Sequence, residues 1–249
     1  MNEPGGAPAE AKPDGATRST HTGAPHPAPA TAHLGRRARL LAWASPLAAH
    51  VVSLFLLGLI RVLTGSQARW WGCPPKAEQR IYFANHQSHA DLVMIWAALP
   101  KELRHGTRAV AARDYWTKTP FKRWITRAVF NVIYVSRARL ADEDPLEPLM
   151  DALNAGDSLI LFPEGTRGHA DEPQAFKAGL YNLALKFPQV ELIPAWIANV
   201  QRVMPKGEVV PVPVLCSVTF GAPMQVKAGE ERQAFLQRAR AAVIALRDV

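Results

Sequence analysis

The chain has 249 residues, of which 48% are hydrophobic, and this is enough for one sizeable α/β core with appendages. Its formal net charge of +8 indicates an anionic partner, such as nucleic acid, an acidic membrane surface or a phosphorylated substrate. Because the sequence has neither zinc-finger spacing nor an interleaved aromatic and basic RNA-binding signature, we expect a membrane or a phosphate and no nucleic acid.

Residues 1–35 are rich in Ala, Pro, Gly and Thr and hold few bulky apolar side chains. Such a composition cannot bury enough surface to order itself, so we predict a disordered tail. An export signal is not expected, because the basic cluster of Arg36, Arg37 and Arg39 comes late.

The next segment, Leu40–Ile60, has 21 residues without Asp, Glu, Lys or Arg. At about 1.5 Å per residue it is just long enough to cross a bilayer core of about 30 Å. Pro46 interrupts it, and basic residues flank both of its ends, so no orientation is selected. We therefore favour a hairpin or interfacial segment over residues 36–66. A single crossing and an apolar helix packed on the domain remain alternatives.

The two cysteines, Cys73 and Cys216, lie far apart and outside every motif. This spacing fits a reducing compartment and offers no framework for a metal. The histidines include no His-Glu-x-x-His arrangement, so a zinc hydrolase is not expected either.

An imidazole and a carboxylate lie five residues apart after the first predicted strand, Ile81–Ala84. His86 follows that strand, and Asp91 opens an apolar helix that Pro100 ends. The carboxylate can fold back onto the ring and fix one tautomer, which leaves the other nitrogen free to accept a proton. The alternative is that Asp91 only caps the helix.

Thr107–Ala112 is then predicted as a strand, and Pro120 as an early position of a helix. That helix carries an apolar stripe and a basic face that includes Arg123 and Arg127. It can lie on an anionic bilayer, or it can pack its stripe into the core and leave its charges in solvent. A short helix over residues 149–154 follows, with Gly156 as its stop.

Another apolar strand starts at Ser158 and ends in the turn Phe162–Arg167. Gly165 lets the backbone approach a ligand closely, while Thr166 and Arg167 offer a hydroxyl and a planar fork of donors suited to phosphate. An ordinary turn with a surface arginine is the alternative.

The remaining elements are a helix over Ala175–Phe187 that presents Lys177 near this turn, strands near Leu192 and over Leu215–Phe220, and a docking helix within Glu230–Arg247. Strands that alternate with helices predict an α/β fold, with a central mainly parallel or mixed sheet flanked by helices.

Together, Asn85–Asp91 and Phe162–Arg167 resemble the first and third signatures of the 1-acyl-glycerol-3-phosphate acyltransferases, Asn-His-x4-Asp and Phe-Pro-Glu-Gly-Thr-Arg. The resemblance covers roughly residues 80–223. Three further blocks match more loosely, namely Phe130–Arg137, Phe176–Gly179 and Val190–Ile197. In the last of these, Trp196 is bulkier than the pattern leads us to expect, which bears on the shape of a substrate pocket.

The resemblance implies a glycerol-3-phosphate acyltransferase-like catalytic domain over residues 67–249 and a reaction without an acyl-enzyme. His86 is expected to act as the general base on a lysophospholipid hydroxyl, with Asp91 holding its ring. The acceptor, most simply 1-acyl-glycerol-3-phosphate giving phosphatidic acid, would be bound by Gly165, Thr166 and Arg167, supported by two further cations, Arg137 and Lys177. Glu164 is expected either to contact an acceptor hydroxyl or to brace the turn through an ion pair.

The implied acyl donor is acyl-CoA or acyl-carrier protein, a substrate rather than a cofactor, and no metal is implied. Because such donors are cytoplasmic, we expect the catalytic domain on the cytoplasmic face of the membrane bilayer. Three other functions stay open: transfer to a different lysophospholipid, thioester hydrolysis, and non-enzymatic membrane binding. The sequence sets neither the acyl-chain length nor the oligomeric state.

Overall fold

The computed structural model describes residues 47–59, 67–88, 90–116, 119–136, 144–168, 170, 172–199 and 215–249, all of which belong to one compact unit. Within these ranges the strands form one seven-stranded sheet. In chain order they are β1 Gln67–Trp70, β2 Arg80–Ala84, β3 Thr107–Ala112, β4 Ile133–Val135, β5 Ser158–Leu161, β6 Glu191–Ala198 and β7 Ser217–Phe220.

The sheet is mixed, with the spatial order β1-β7-β6-β2-β5-β3-β4. The five strands from β6 to β4 are mutually parallel, whereas β7 runs antiparallel to β6 and β1 runs parallel to β7. In register, Phe83 of β2 lies between Leu161 of β5 and Pro194 of β6. β2 is buried along its whole length, as expected for a central strand covered on both faces.

Helices cover both faces of this sheet. In chain order the described ones are α1 over residues 47–59, α2 Asp91–Ala98, α3 Lys101–Arg104, α4 Arg113–Trp116, α5 Pro120–Ala128, α6 Glu147–Asn154, α7 Gly179–Lys186 and α8 Arg232–Ala245. The predicted fold class, an α/β sheet flanked by helices, is therefore confirmed.

Successive side chains of a strand point to opposite faces of the sheet, so alternate residues pack into two separate cores. On β2, Tyr82 points into a core shared with α2, whereas Ile81 and Phe83 point into a core shared with α6, α7 and α8. The predicted C-terminal docking helix is observed as α8. Its buried stripe is Phe235, Ala239 and Val243, each 0% exposed.

Some elements begin later than the sequence leads us to expect. The helix predicted from Ala175 starts only at Gly179, because the turn after β5 binds two amides of the preceding segment. Gln174 N–H donates to the Glu164 carboxylate and Lys177 N–H donates to Pro163 O. Within the block Phe130–Arg137, β4 starts only at Ile133, because Asn131 adopts a left-handed conformation with φ 45°. The strand predicted over Leu215–Phe220 starts at Ser217.

One strand was not predicted. β1 is an edge strand whose first three residues are exposed, so it lacks the apolar alternation that identifies a strand in the sequence.

Helix α1 has two apolar stripes at helical spacing. Ala49 is buried, and Val52, Leu56 and Leu57 pack on the core that contains α2. The opposite stripe faces outward and consists of Leu47, Val51, Leu54, Phe55 and Leu59, which are 40–67% exposed. Within the described ranges, none of the helices combines the length and apolar character needed to cross a bilayer.

Several predictions fall outside the described residues. These are the disordered tail over residues 1–35, the hairpin near Pro46, and Arg137 as a phosphate ligand. The proposed boundary between residues 66 and 67 also lies at the edge of such a range and stays a prediction.

Candidate active site

A cleft opens where four parallel strands end. Since β2, β3, β4 and β5 run in the same direction, the residues that follow them meet at one edge of the sheet, which is where α/β folds bind ligands. The cavity has a volume of about 380 Å³, within the range of ligand pockets. Its polar lining includes His86, Ser136, Thr166, Arg167 and Lys177, and its apolar lining includes Leu92, Val110, Trp116, Val135, Leu146, Leu149, Leu161, Phe162 and Leu180.

His86 and Asp91 are in direct contact at this edge. His86 Nδ1 lies 2.8 Å from Asp91 Oδ2. The same carboxylate oxygen accepts the N–H groups of Gln87 at 2.6 Å and Ser88 at 2.8 Å. Asp91 is 1% exposed, so its acceptor oxygen is satisfied by these neighbouring groups rather than by solvent. A neutral His86 ring that donates from Nδ1 keeps Nε2 as its acceptor.

The His86 ring is also held by stacking. It lies on the Phe162 ring with the centroids 4.3 Å apart and the planes 21° apart. Its side chain is 22% exposed and lines the cleft. Two contacts, one at the ring edge and one on its face, therefore fix the orientation of the imidazole.

Glu164 is buried beneath the turn, 2% exposed, and does not line the cleft. Its Oε1 accepts the His86 N–H at 2.7 Å and its Oε2 accepts the Gln174 N–H at 2.7 Å. Burial raises the pKa of Glu164, while the Gln174 and His86 amides oppose that rise. Of the two predicted roles, this geometry favours the brace, although the partners are backbone amides rather than the predicted ion pair.

Asn85 begins the first signature but was given no role from the sequence, and the structure shows that it has a specific structural task. Its Oδ1 accepts the Ile197 N–H at 2.8 Å, and its Nδ2 donates to Ile197 O at 3.1 Å. The side chain thus continues the β2–β6 pairing past the end of β2 and fixes the residue before His86. An amide directly after a buried strand was the available signal.

The cationic part of the site is built around Gly165. Its φ of +68° is in the left-handed region, and a Cβ built there would lie 2.5 Å from Lys177 Nζ. The Lys177 side chain therefore passes over Gly165, and this position is accessible to Lys177 only because glycine has no side chain. Thr166 and Arg167 are exposed and line the same cleft.

The structure accordingly brings His86, Gly165, Thr166, Arg167 and Lys177 to one cleft, and it places the buried Asp91 in contact with His86. Arg137 lies outside the described residues, although Ser136, the residue before it, lines the cleft. Trp196 is buried in the core with α6, α7 and α8 and is absent from the cleft lining, so its bulk does not shape this pocket.

Both cysteines are buried, and burial raises the pKa of each thiol, that of Cys216 to about 11. A protonated buried thiol is a poor nucleophile. No group of three or more His, Cys, Asp or Glu side chains with the spacing of a metal site occurs in the described part of the chain.

Comparison with known proteins places these features in context. The family model described as Acyltransferase matches residues 74–198, half of the chain. The 1-acyl-sn-glycerol-3-phosphate acyltransferase of Borreliella burgdorferi is 30% identical over 138 residues, which cover 54% of this chain and 50% of that protein. The alpha enzyme of that name from Mus musculus is 28% identical over 138 residues, with 54% and 45% covered. The chain thus spans about half the length of these relatives.

Among solved structures, the crystal structure of the 1-acyl-sn-glycerophosphate acyltransferase PlsC from Thermotoga maritima is similar in fold. The TM-score is 0.62 with 21% identity, and the match covers 82% of this chain and 80% of that one.

Substitution of Gly165 tests the cationic turn. Gly165→Ala and its control Gly229→Ala place a side chain at nearly the same positive φ, +68° and +70°, but only the first meets Lys177. Both are expected to destabilise the fold by about 1–2 kcal/mol in denaturant unfolding, because the left-handed strain is shared. Only Gly165→Ala is expected to displace the Lys177 ammonium in a crystal structure. An unmoved ammonium would contradict the close crossing.

Proposed function

Because the chain belongs to the acyltransferase family, we propose that it transfers a fatty acyl group from an acyl thioester to the free hydroxyl of a lysophospholipid. The proposed acceptor is 1-acyl-glycerol-3-phosphate, and the product is then phosphatidic acid. The observation that carries the proposal is the contact of His86 with the buried Asp91 carboxylate in a cleft that also holds Arg167.

The proposed chemistry is direct transfer. His86 Nε2 takes the proton of the acceptor hydroxyl as that oxygen attacks the thioester carbonyl. The new ester C–O bond forms, the C–S bond breaks, and the proton passes from the imidazolium to the leaving thiolate. Asp91 stays ionised and stabilises the imidazolium. Its contacts with the His86 ring and with the N–H groups of Gln87 and Ser88 hold the carboxylate in place for this role.

Arg167 is the proposed principal ligand of the acceptor phosphate. It is exposed at the cleft, and a guanidinium offers phosphate two parallel donors. Lys177 and Thr166 line the same cleft and supply a second cation and a hydroxyl. Arg137 keeps its proposed supporting role, which follows from the sequence alone.

The rest of the cleft is suited to hydrocarbon. Leu146 and Leu149 from the α6 region, Leu161 from β5 and Leu180 from α7 line it together. Each buried CH₂ group contributes about 0.8 kcal/mol to binding, so a fatty acyl chain gains affinity from such a surface. The donor, acyl-CoA or acyl-carrier protein, is proposed as a substrate, and we propose neither a cofactor nor a metal.

We further propose that α1 rests on the lipid surface with its outward apolar stripe. On α5, by contrast, Ile125 packs against the core while Arg123 and Arg127 are exposed. An outward apolar stripe on a protein with a formal net charge of +8 suits an anionic bilayer. Because acyl thioesters are made in the cytoplasm, we propose the cytoplasmic face.

His86→Ala is expected to reduce acyl transfer by about 10³-fold or more, and Asp91→Asn by about 10²–10⁴-fold, with both proteins folded. Transfer is measured with radiolabelled donors, crossing acyl-CoA and acyl-carrier protein with several lysophospholipids. A folded His86→Ala protein with near wild-type transfer would refute the general-base assignment. Transfer only to another lysophospholipid would change the acceptor, and free fatty acid as the sole product would indicate a thioesterase.

Arg167→Lys keeps the charge but loses the planar fork. It is expected to raise the apparent KM of the phosphorylated acceptor about ten- to hundredfold while leaving the KM of the donor unchanged. Arg232→Lys, at an exposed position of α8, is the control and should change neither constant. Equal effects on donor and acceptor would argue against a phosphate contact.

The double substitution Leu54→Asp, Phe55→Asp places charge on the outward stripe of α1, at positions 56% and 66% exposed. Binding to vesicles of anionic phospholipid is expected to fall at least tenfold, since two large apolar side chains no longer enter the lipid. Leu185→Asp, on α7 at a position 53% exposed, is the control. Unchanged sedimentation of the double variant with vesicles would exclude this face as the contact.

A further inference from the structure

We propose that Glu164 is a positioning residue for His86, acting through the main chain of His86 rather than by touching the substrate. This inference rests on the proposed function, because it assumes that His86 is the general base. In this proposal, Glu164 of the Phe-Pro-Glu-Gly-Thr-Arg turn sets the position of the imidazole relative to the phosphate-binding cations.

The Glu164 carboxylate is buried away from the cleft, where a substrate hydroxyl would bind. Its two oxygens each accept one backbone N–H at 2.7 Å, from His86 and Gln174. It is 2% exposed and absent from the cleft lining, and a Cβ built on Gly168 would lie 3.3 Å from Oε2. Ligand contact would require the turn to open, whereas the amide contacts are already made.

The residue that follows this turn, Gly168, also binds the carbonyl group of His86. Gly168 N–H donates to His86 O at 2.9 Å. The main chain of His86 is therefore clamped at its N–H by Glu164 and at its C=O by Gly168. Arg167 lies between Glu164 and Gly168 in the chain. The segment that holds the main chain of His86 therefore also carries the proposed phosphate ligand.

The second amide on Glu164 ties this clamp to the rest of the fold. The segment before Gln174 is held by α8, where Arg240 Nε donates to Pro173 O at 2.8 Å and its guanidinium pairs with Glu172 at 2.8 Å. Gln87, next to His86, donates to Ala170 O at 3.0 Å. Glu164 thus joins the loop after β2 to a segment that α8 anchors and that leads directly to Lys177.

Burial raises the pKa of Glu164, so its ionised form is less favourable in the folded protein than in the unfolded chain. Any stability it contributes is greatest at low pH and is lost as the pH rises through that raised pKa. A carboxylate retained where ionisation opposes stability is typical of functional sites. This supports a role beyond holding the fold together.

The test compares Glu164→Gln with Glu164→Asp. Glutamine keeps the volume but has one acceptor oxygen, so its NH₂ group must face one of the two amide donors. Because a misplacement of about 1 Å costs about 10²-fold in rate, kcat is expected to fall ten- to hundredfold while the acceptor KM changes less than twofold. Aspartate keeps both acceptor oxygens on a shorter arm and is expected to lose less kcat than glutamine.

The matched control is Glu230→Gln. Glu230 also accepts a backbone N–H, from Lys227 at 3.0 Å, and pairs with Arg238 away from the cleft. Because these contacts lower the pKa of Glu230 to about 2, the variant is expected to lower Tm at neutral pH but to leave kcat unchanged. Loss of kcat in the Glu164 variants then cannot be attributed to stability alone.

A spectroscopic measurement separates this inference from the proposed function. In ¹H and ¹⁵N NMR, the hydrogen-bonded Nδ1 proton of His86 is expected to shift or broaden in Glu164→Gln and to be unchanged in Glu230→Gln. An acceptor KM raised tenfold or more at constant kcat would instead make Glu164 a substrate ligand. Wild-type kcat and an unchanged His86 signal in both Glu164 variants would also overturn the inference. A wild-type protein without transfer activity, whose His86 signal still shifts in Glu164→Gln, would refute the proposed function but leave Glu164 as the group that positions the His86 ring.

Discussion

The site depends on one buried carboxylate oxygen. Asp91 Oδ2 receives the His86 ring and the N–H groups of Gln87 and Ser88, so it organises the loop and the imidazole together. A buried charge without such partners would be strongly unfavourable, and here the partners come entirely from the loop that leads into α2. These contacts therefore hold the loop in the shape that is observed. The same contacts that make burial of Asp91 tolerable also prepare it to stabilise an imidazolium.

Sheet topology joins this loop to a turn 78 residues away in the chain. β2 and β5 are parallel neighbours, so the residues that follow them emerge side by side at one edge. Glu164 then reaches the His86 peptide from the neighbouring strand end, and Asn85 binds β6 on the other side. The loop of His86 is consequently held from both flanking strands, with its ring left at the cleft. The antiparallel β7 and the edge strand β1 lie beyond β6 and contribute no lining residue.

The parts of this arrangement that could be predicted are those with a local signature. Apolar runs identified β2 and β5, helical spacing identified α8, and the five-residue interval predicted that Asp91 could reach His86. Contacts between a side chain and a distant backbone amide have no such signature. The partners of Glu164 and Asn85 were missed for that reason, and the late start of α7 has the same cause, because the amides of Gln174 and Lys177 bind the turn instead of entering a helix. β1 was missed because an exposed edge strand needs no apolar pattern.

The buried and mostly apolar surroundings of the cleft favour the proposed reaction in two ways. His86 is only 22% exposed and stacks on Phe162, and most of the lining around it is apolar. In such surroundings the Asp91–His86 contact is stronger than it would be in water. The apolar lining also limits the access of water, which would compete with the acceptor hydroxyl for the thioester. In the proposed reaction, the polar groups of the cleft meet the head group of the acceptor, while its leucine-lined part receives hydrocarbon.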